Sequence, residues 1–362
     1  MTDTSKEQPR ITAGLDLGDR YSYLCLLDTD TGETLLQSRV RTTAEGLCQC
    51  LRGEDTMTIA LEVGTHSPWV SRLLEDHGHH VLVANPRKTR LIYSSKQKTD
   101  KLDAEKLARM ARLDPKLLYP MEHRTEQTQA HRAVIQSRDV LVRSRGKLIN
   151  HLRGTVKSFG ARLPGCSAPS FHAKAADAIP DELSDALQDV VDTIATLTEK
   201  IRGYDKRIQQ MCNEHYPLKT GQLTQIPGVG PLTALSFVLT LEDPARFPNS
   251  RAVGAYLGLV PGKDQSGEQD PQQRISKQGD KMLRRLLVSS AHYILGPFGQ
   301  DCDLRRHGEK LAAQGGKNAR KRAAVAVARK LTVLLHHLWV TGEVYDPLYN
   351  ARLTGTLPRE AA

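Results

Sequence analysis

With 362 residues, a formal net charge of +10, and 39% hydrophobic but only 5% aromatic residues, the chain is long enough for two or three domains of roughly 150 residues each. Its basic excess points to a polyanionic partner, nucleic acid before an acidic surface. No apolar run approaches the roughly 20 residues that cross a bilayer, and the polar start Met1-Thr-Asp-Thr-Ser-Lys-Glu-Gln-Pro-Arg10 lacks the apolar stretch of a signal peptide, so a cytoplasmic protein without membrane contact is expected.

Strands are predicted over 11–17, 21–28, 33–41, 58–63 and 80–84, with helices over 43–52 and 66–77 and further helices after Asn85-Pro86. Thr31-Gly32 marks the hairpin turn between the second and third strands. Three antiparallel strands followed by alternating helix and strand is the order of a ribonuclease-H-like domain. Two of the apolar strands carry one acid each, Asp16 in Ile11-Thr-Ala-Gly-Leu-Asp-Leu-Gly18 and Glu62 in Met57-Thr-Ile-Ala-Leu-Glu-Val-Gly64. A buried carboxylate is costly unless it is paired or binds a cation. Asp100 and Asp103 follow in Lys98-Thr-Asp-Lys-Leu-Asp-Ala104, where Thr99 or Asp100 suits the N-cap of a helix and the three-residue spacing puts both aspartates on one face. Those two alone would read as a cap and a solvated first-turn acid. With the two mid-strand acids they make a set of hard oxygen ligands suited to Mg²⁺, and two such ions roughly 3.5–4 Å apart serve phosphoryl transfer.

The region 122–217 reads as helical. A helix over about 126–160 carries Arg132, Arg138, Arg143, Arg145, Lys147, Arg153 and Lys157, with Asp139 the sole acid in 132–157. Such imbalance predicts phosphate contact, with Arg138, Arg145 and Arg153 as candidates. The stretch 159–180 reads as a connecting loop. After it Leu187, Val190, Ile194, Leu197, Ile201, Tyr204, Ile208 and Met211 alternate in steps of three and four, a coiled-coil seam that could pair within a helical hairpin or with another subunit.

From about Leu223 the chain opens with Gln225-Ile-Pro-Gly-Val-Gly-Pro-Leu-Thr-Ala-Leu235, similar to a helix-hairpin-helix turn. There Gly228 and Gly230 would let the backbone approach a phosphate, although plain helix packing explains them equally. Tyr256-Leu-Gly-Leu-Val-Pro261 leads into a polar loop holding Ser266-Gly267, and Arg274-Ile-Ser-Lys-Gln-Gly279 follows. Arg274 and Lys277 read as phosphate contacts, as do Arg320, Lys321 and Arg322 in a second basic block that includes Lys317, Arg329 and Lys330. The six cysteines, Cys25, Cys48, Cys50, Cys166, Cys212 and Cys302, lack zinc-ligand spacing and read as reduced.

In order and spacing, the motifs around Asp16, Glu62, Asn85-Pro86, Asp100 and Asp103, then Ile226-Pro-Gly-Val-Gly230, Tyr256–Pro261, Ser266-Gly267 and 274–279, resemble the DEDD transposases, insertion-sequence serine-using recombinases related to Piv DNA invertases. The resemblance implies an α/β plus all-α chain. Its parts would be a RuvC-like (ribonuclease-H-like) domain over 1–115, a helical coiled-coil domain over 116–220, a mostly helical transposase domain over 221–345, and a tail over 346–362. It also implies that Asp16, Glu62, Asp100 and Asp103 hold Mg²⁺ and that Ser266 is the nucleophile in a covalent serine–DNA intermediate. Donor and target DNA, a structured noncoding bridge RNA and a homodimer or homotetramer are the implied partners. Ser276 is the competing nucleophile. A hydrolytic junction endonuclease using the acids and water, and a non-enzymatic RNA- or DNA-binding protein, are the alternative functions.

Overall fold

The computed structural model describes residues 9–52, 56–89, 99–265, 271 and 273–355, and the chain divides into two compact units, 1–125 and 126–362. The expected boundary at 115/116 thus falls ten residues later. The helical region and the C-terminal region, expected as separate domains, form one unit because they share a core.

In the first unit, β1 (Ile11–Asp16), β2 (Tyr21–Asp28), β3 (Thr34–Arg41), α1 (Ala44–Cys50), β4 (Thr58–Glu62), α2 (Ser67–Asp76), β5 (His80–Ala84), α3 (Pro86–Thr89) and α4 (Asp100–Leu113) follow in order. The five strands form one sheet in the order β3-β2-β1-β4-β5. β1 is antiparallel to β2 and parallel to β4, and β4 is parallel to β5. Gly32 closes the β2–β3 turn with φ 76°. Strand alternation divides the sheet between two cores. Ala13, Leu15, Ile59 and Leu61 face one core with Leu47, Val70 and Leu74. Ala60 and Cys25 face the other, where α4 contributes Ala104, Leu107, Ala108 and Met110. Gly14 lies under that helix: a Cβ there would overlap the carbonyl oxygen of Ala104 and come 2.6 Å from the amide nitrogen of Ala108. A glycine is therefore needed in the middle of this strand for the helix to sit down on it.

The second unit begins with α5 (Glu126–Ser158), then α6 (Phe171–Ala175) and α7 (Asp181–His215). α5 and α7 form an antiparallel pair. Ile135 packs with Ile208, Met211 and Cys212 at one end, and Ile149, Leu152 and Val156 pack with Leu183, Leu187, Val191 and Ile194 at the other. The seam differs from the expected one at alternate positions: Val191 and Thr198 are buried, whereas Val190 and Leu197 are half-buried. The interhelical arginine explains this, because Arg145 of α5 needs a hydroxyl opposite it, and Thr198 supplies one at 3.1 Å. The stretch expected as a plain loop contains α6, whose Phe171 is fully buried in the hairpin core.

The rest of the unit comprises α8 (Pro217–Leu223), α9 (Pro231–Leu241), α10 (Ser250–Tyr256), α11 (Lys281–Leu295), α12 (Asp303–Ala313), α13 (Ala319–Thr341) and α14 (Tyr349–Leu353). α9 is buried along its length and joins the hairpin to this bundle through Leu235 and Leu239, which meet Ile135 and Ile208. By length and composition α13 is apolar enough to cross a membrane, contrary to the sequence reading. Its Val327, Leu331 and Leu335 are instead fully buried in the core of this unit. All six cysteines are free thiols.

Candidate active site and nucleic-acid interface

Asp16 and Glu62 are the last residues of β1 and β4, neighbouring parallel strands whose pairing runs up to Leu15 opposite Leu61. Alternation puts Asp16 on the face of Gly14 and Glu62 on the face of Ala60, which is the face α4 covers. The helix lies across that face with a defined direction. At its C-terminal end Arg112 donates to Thr29 O at 2.7 Å and to Asp30 O at 2.8 Å, beside the start of β1, where Thr29 N donates to Arg10 O. Its N-terminal turn therefore lies toward the Asp16 end. Thr99 caps it, accepting from Leu102 N at 3.3 Å. Asp100 and Asp103 extend the inward-facing rows of Ala104 and Leu107 one turn outward. Asp100 is exposed and Asp103 half-buried.

The fold thus brings the four acid-bearing positions to one end of one sheet face. Among the described residues, no three His, Cys, Asp or Glu side chains are gathered tightly enough to hold a metal ion. The donor set consists of carboxylates alone, which suits a hard divalent cation. The ammonium of Lys106, 3.5 Å from Asp103 Oδ1, already places a positive charge beside one of the four. Sequence reasoning missed Lys106, and its i, i+3 spacing from Asp103 was the available signal. It also missed the tie between the loops leaving the two acid-bearing strands: Trp69 Nε1 donates to His66 Nδ1 at 3.1 Å, and His66 Nε2 stands 3.5 Å from Asp19.

Ser266 lies outside the described residues. The two motifs around it form one structure, with Pro261 bridged to Ile275, Gly262 N donating to Arg274 O at 2.9 Å and Ser276 N donating to Val260 O at 2.9 Å. Gly258 and Gly279 let the two segments cross, since a Cβ on either would overlap the backbone of the other segment. Lys277 takes a left-handed φ of 55° at this crossing, and Arg284 Nη1 fastens it by donating to Leu257 O and Gln278 O. Ser276, the competing nucleophile, is part of this hairpin base.

The expected phosphate contacts divide into two groups. On α5 the arginines are engaged internally. Arg138 pairs with Asp205 at 2.6 Å, Arg145 is only 7% exposed and donates to Thr198, and Arg153 lies over the Phe171 ring at 5.3 Å. Burial lowers the pKa of Arg145, helped by Arg138. α7 meets part of this helix's positive charge through Asp205, whereas the helix's own Asp139 receives Arg143 and, from α11, a further cation, Arg285. The hairpin itself thus engages the guanidinium groups of these three, the residues expected to meet phosphate. Gly228 likewise has a packing reason, with φ 92° and a Cβ position 2.8 Å from the Tyr293 ring. Gly230 is the N-cap of α9, with open space around its Cβ position.

The second group lies on an open groove of about 1980 Å³. Arg251 of α10, Arg274 and Lys277 of the hairpin base, and Lys321, Arg322, Arg329 and Lys330 of α13 line it. All seven are exposed, and among the described residues none forms an ion pair with an acid. Arg320, in the first turn of α13, is also exposed but lies outside the lining. The acids at the far end are engaged: Asp303 accepts from Asn350 N at 2.7 Å, Glu343 faces His337 at 3.3 Å, and Asp346 pairs with Arg352.

A family model described as transposase of the IS116/IS110/IS902 family matches residues 221–298, and a transposase model of the DEDD, IS110 type matches residues 13–160. The transposase for insertion sequence element IS1328 of Yersinia enterocolitica is 30% identical over 348 residues, 93% of this chain and 99% of that protein. The transposase for insertion sequence element IS1111A of Coxiella burnetii is 29% identical over 260 residues, 70% of each chain. A probable family 20 transposase of Pseudomonas aeruginosa is 28% identical over 297 residues, covering 80% of this chain and 86% of that one.

Proposed function

The chain belongs to the IS110/IS116 family of DEDD transposases, and from that premise we propose that this DNA recombinase cleaves and rejoins strands through a covalent bond between Ser266 and a DNA phosphate. One of the two matched models is a DEDD transposase model, so the expected DEDD transposase family holds and the added wording of serine-using recombinase is corrected. The serine step is a proposal about this chain's chemistry. The observation that carries the reading is the arrival of Asp16, Glu62 and the first turn of α4 at one end of a ribonuclease-H-like sheet.

The family implies a divalent-metal site of nuclease type, and Mg²⁺ is the ion we assign to Asp16, Glu62, Asp100 and Asp103. When bound it would polarise the phosphate and favour the serine alkoxide. The chain's own residues supply the rest. The carboxylates hold the place where that ion would meet the phosphodiester, and the Ser266 Oγ bonds to phosphorus while one P–O bond to deoxyribose breaks. The serine gives up its proton and the departing sugar oxygen takes one. Phosphodiester energy is kept in the serine–DNA bond, so a strand is resealed by the reverse step without ATP. A bridge RNA, in this reading, selects the DNA by base pairing, while the basic surfaces bind backbones without regard to sequence. A homodimer or homotetramer carries out the reaction.

The test is to quench a cleavage reaction under denaturing conditions and map any DNA-modified peptide by mass spectrometry. The DNA should be found on Ser266, and Ser266→Ala should lose adduct and recombination while keeping its melting temperature and RNA binding. DNA found on Ser276, or full cleavage by Ser266→Ala, would replace this reading with the Ser276 or the hydrolytic alternative. RNA copurifying with the protein, once sequenced, should come from the element itself.

A further inference from the structure

We propose that the groove beside α13 holds an unpaired DNA strand, a deepening of the function proposed above that rests on it. The groove combines two chemistries that a duplex does not present together. Its rim carries the seven cations, none of which forms an ion pair with an acid among the described residues. Its floor is apolar, with Leu311 of α12 and Val325, Val333 and Leu334 of α13 among its lining residues. α13 divides cleanly: Arg322, Val325, Arg329 and Val333 recur at helical spacing on the groove side, and Val327, Leu331 and Leu335 are buried behind them.

A duplex turns its charged phosphates outward and stacks its bases within, so an apolar floor would meet only groups that require water or cations. A single strand offers phosphates to the rim and base faces to the floor, the pattern of charged groove and stacking surface by which unpaired strands are held. Tyr349, at the start of α14, completes the pattern. It lines the groove and is 57% exposed, at the end where Asp303 and Asp346 also line it. The strand broken by this family is DNA, which selects DNA over RNA as the occupant. A transposase that exchanges strands must hold each cut strand apart from its former partner, and this groove offers the chemistry for doing so.

The experiment measures fluorescence anisotropy of the full chain with one DNA sequence of about twelve nucleotides as a single strand and as a duplex, and with the matching RNA, a length within the range such grooves span. Tyr349→Ala should weaken single-strand DNA binding roughly tenfold and leave the duplex, whose base faces are stacked within, within about twofold. Arg329→Gln should weaken the single strand and reduce its salt dependence. Melting temperatures verify the fold of both variants. Unchanged single-strand affinity in both variants, or an equal or larger loss for duplex or RNA, would overturn the assignment. The measurement needs no cleavage, so it is repeated in Ser266→Ala. No serine adduct on the unchanged chain together with the predicted binding losses would count against the nucleophile and leave the groove standing.

Discussion

At the scale of single residues, the proposed chemistry of this chain rests on carboxylates, two of them at the ends of neighbouring strands. Asp16 and Glu62 interrupt apolar strands at the same end and on the same face, and Gly14 removes the side chain that would keep α4, and so Asp103, away from them. Removing one ligand from a carboxylate site weakens Mg²⁺ binding and misplaces the phosphate. Asp16→Asn, Glu62→Gln and Asp103→Asn should therefore each lower strand cleavage by at least about two orders of magnitude, with RNA binding in a filter assay retained. Near-normal recombination by any of the three in Mg²⁺ would remove that residue from the site. Lys106 sharpens the point. If its ammonium occupies a place the cation takes, Mg²⁺ binding displaces it from Asp103.

At the scale of elements, charges that look available in the sequence turn out to join helices. Arg132 of α5 donates to Thr240 of α9 at 2.7 Å and to Asp280, the N-cap of α11, at 2.6 Å. Burial opposes ionisation of Asp280, yet hydrogen bonds from Leu283 N and the Arg132 guanidinium outweigh it and hold its carboxyl below the usual carboxylate range. A carboxyl with a depressed folded pKa contributes stability above its unfolded pKa and loses it as pH falls through the folded one. Asp280→Asn keeps a capping oxygen but not the charge. It should cost about 1.5–3 kcal/mol near neutral pH, the worth of a hydrogen bond to a charged group. The difference from the unchanged chain should shrink as pH drops below the ordinary carboxylate range. Thermal melts at neutral and strongly acidic pH check this, and a gap that widens on acidification would contradict the assignment.

At the scale of the whole molecule, the excess of ten positive charges is not spread evenly. The hairpin balances much of its own charge, and exposed cations that have no acid partner among the described residues collect along the groove of the second unit. Each phosphate neutralised releases counterions, with a slope of about 0.9 per contact on duplex DNA and about 0.7 on a single strand. Reversing Arg274, Lys277 and Lys321 to glutamate should weaken single-strand DNA binding and reduce the salt slope by roughly two. Reversing Arg138, Arg145 and Arg153 should instead lower the melting temperature, because Arg145 faces Thr198 in a buried seam and Arg153 has an aromatic partner. Salt titrations and melts of the two triple variants separate the outcomes. A changed slope with unchanged melting in the α5 variant would restore that helix to the nucleic-acid surface.

What local order determines was legible in the sequence. Strand alternation, the Thr31-Gly32 turn and a cap at Thr99 or Asp100 placed the five strands and the start of α4 to within a residue or so, because side-chain period and cap chemistry act over a few positions. The family was legible too, since short motifs keep their order. Tertiary structure alone decided where charge is spent. The sequence shows a row of arginines on 126–158 but not that α7 would stand opposite with Asp205 and Thr198, nor that α10, a hairpin base and α13 would pool their cations around an apolar floor. The two hairpin pairings join residues 67 and 53 positions apart, and a side chain's partner is set by packing rather than by its neighbours in the chain. For the same reason the seam on α7 moved by one position at Val191 and Thr198. A hydrophobic repeat identifies the helix face, and the buried guanidinium of Arg145 chose which residues on that face close against it.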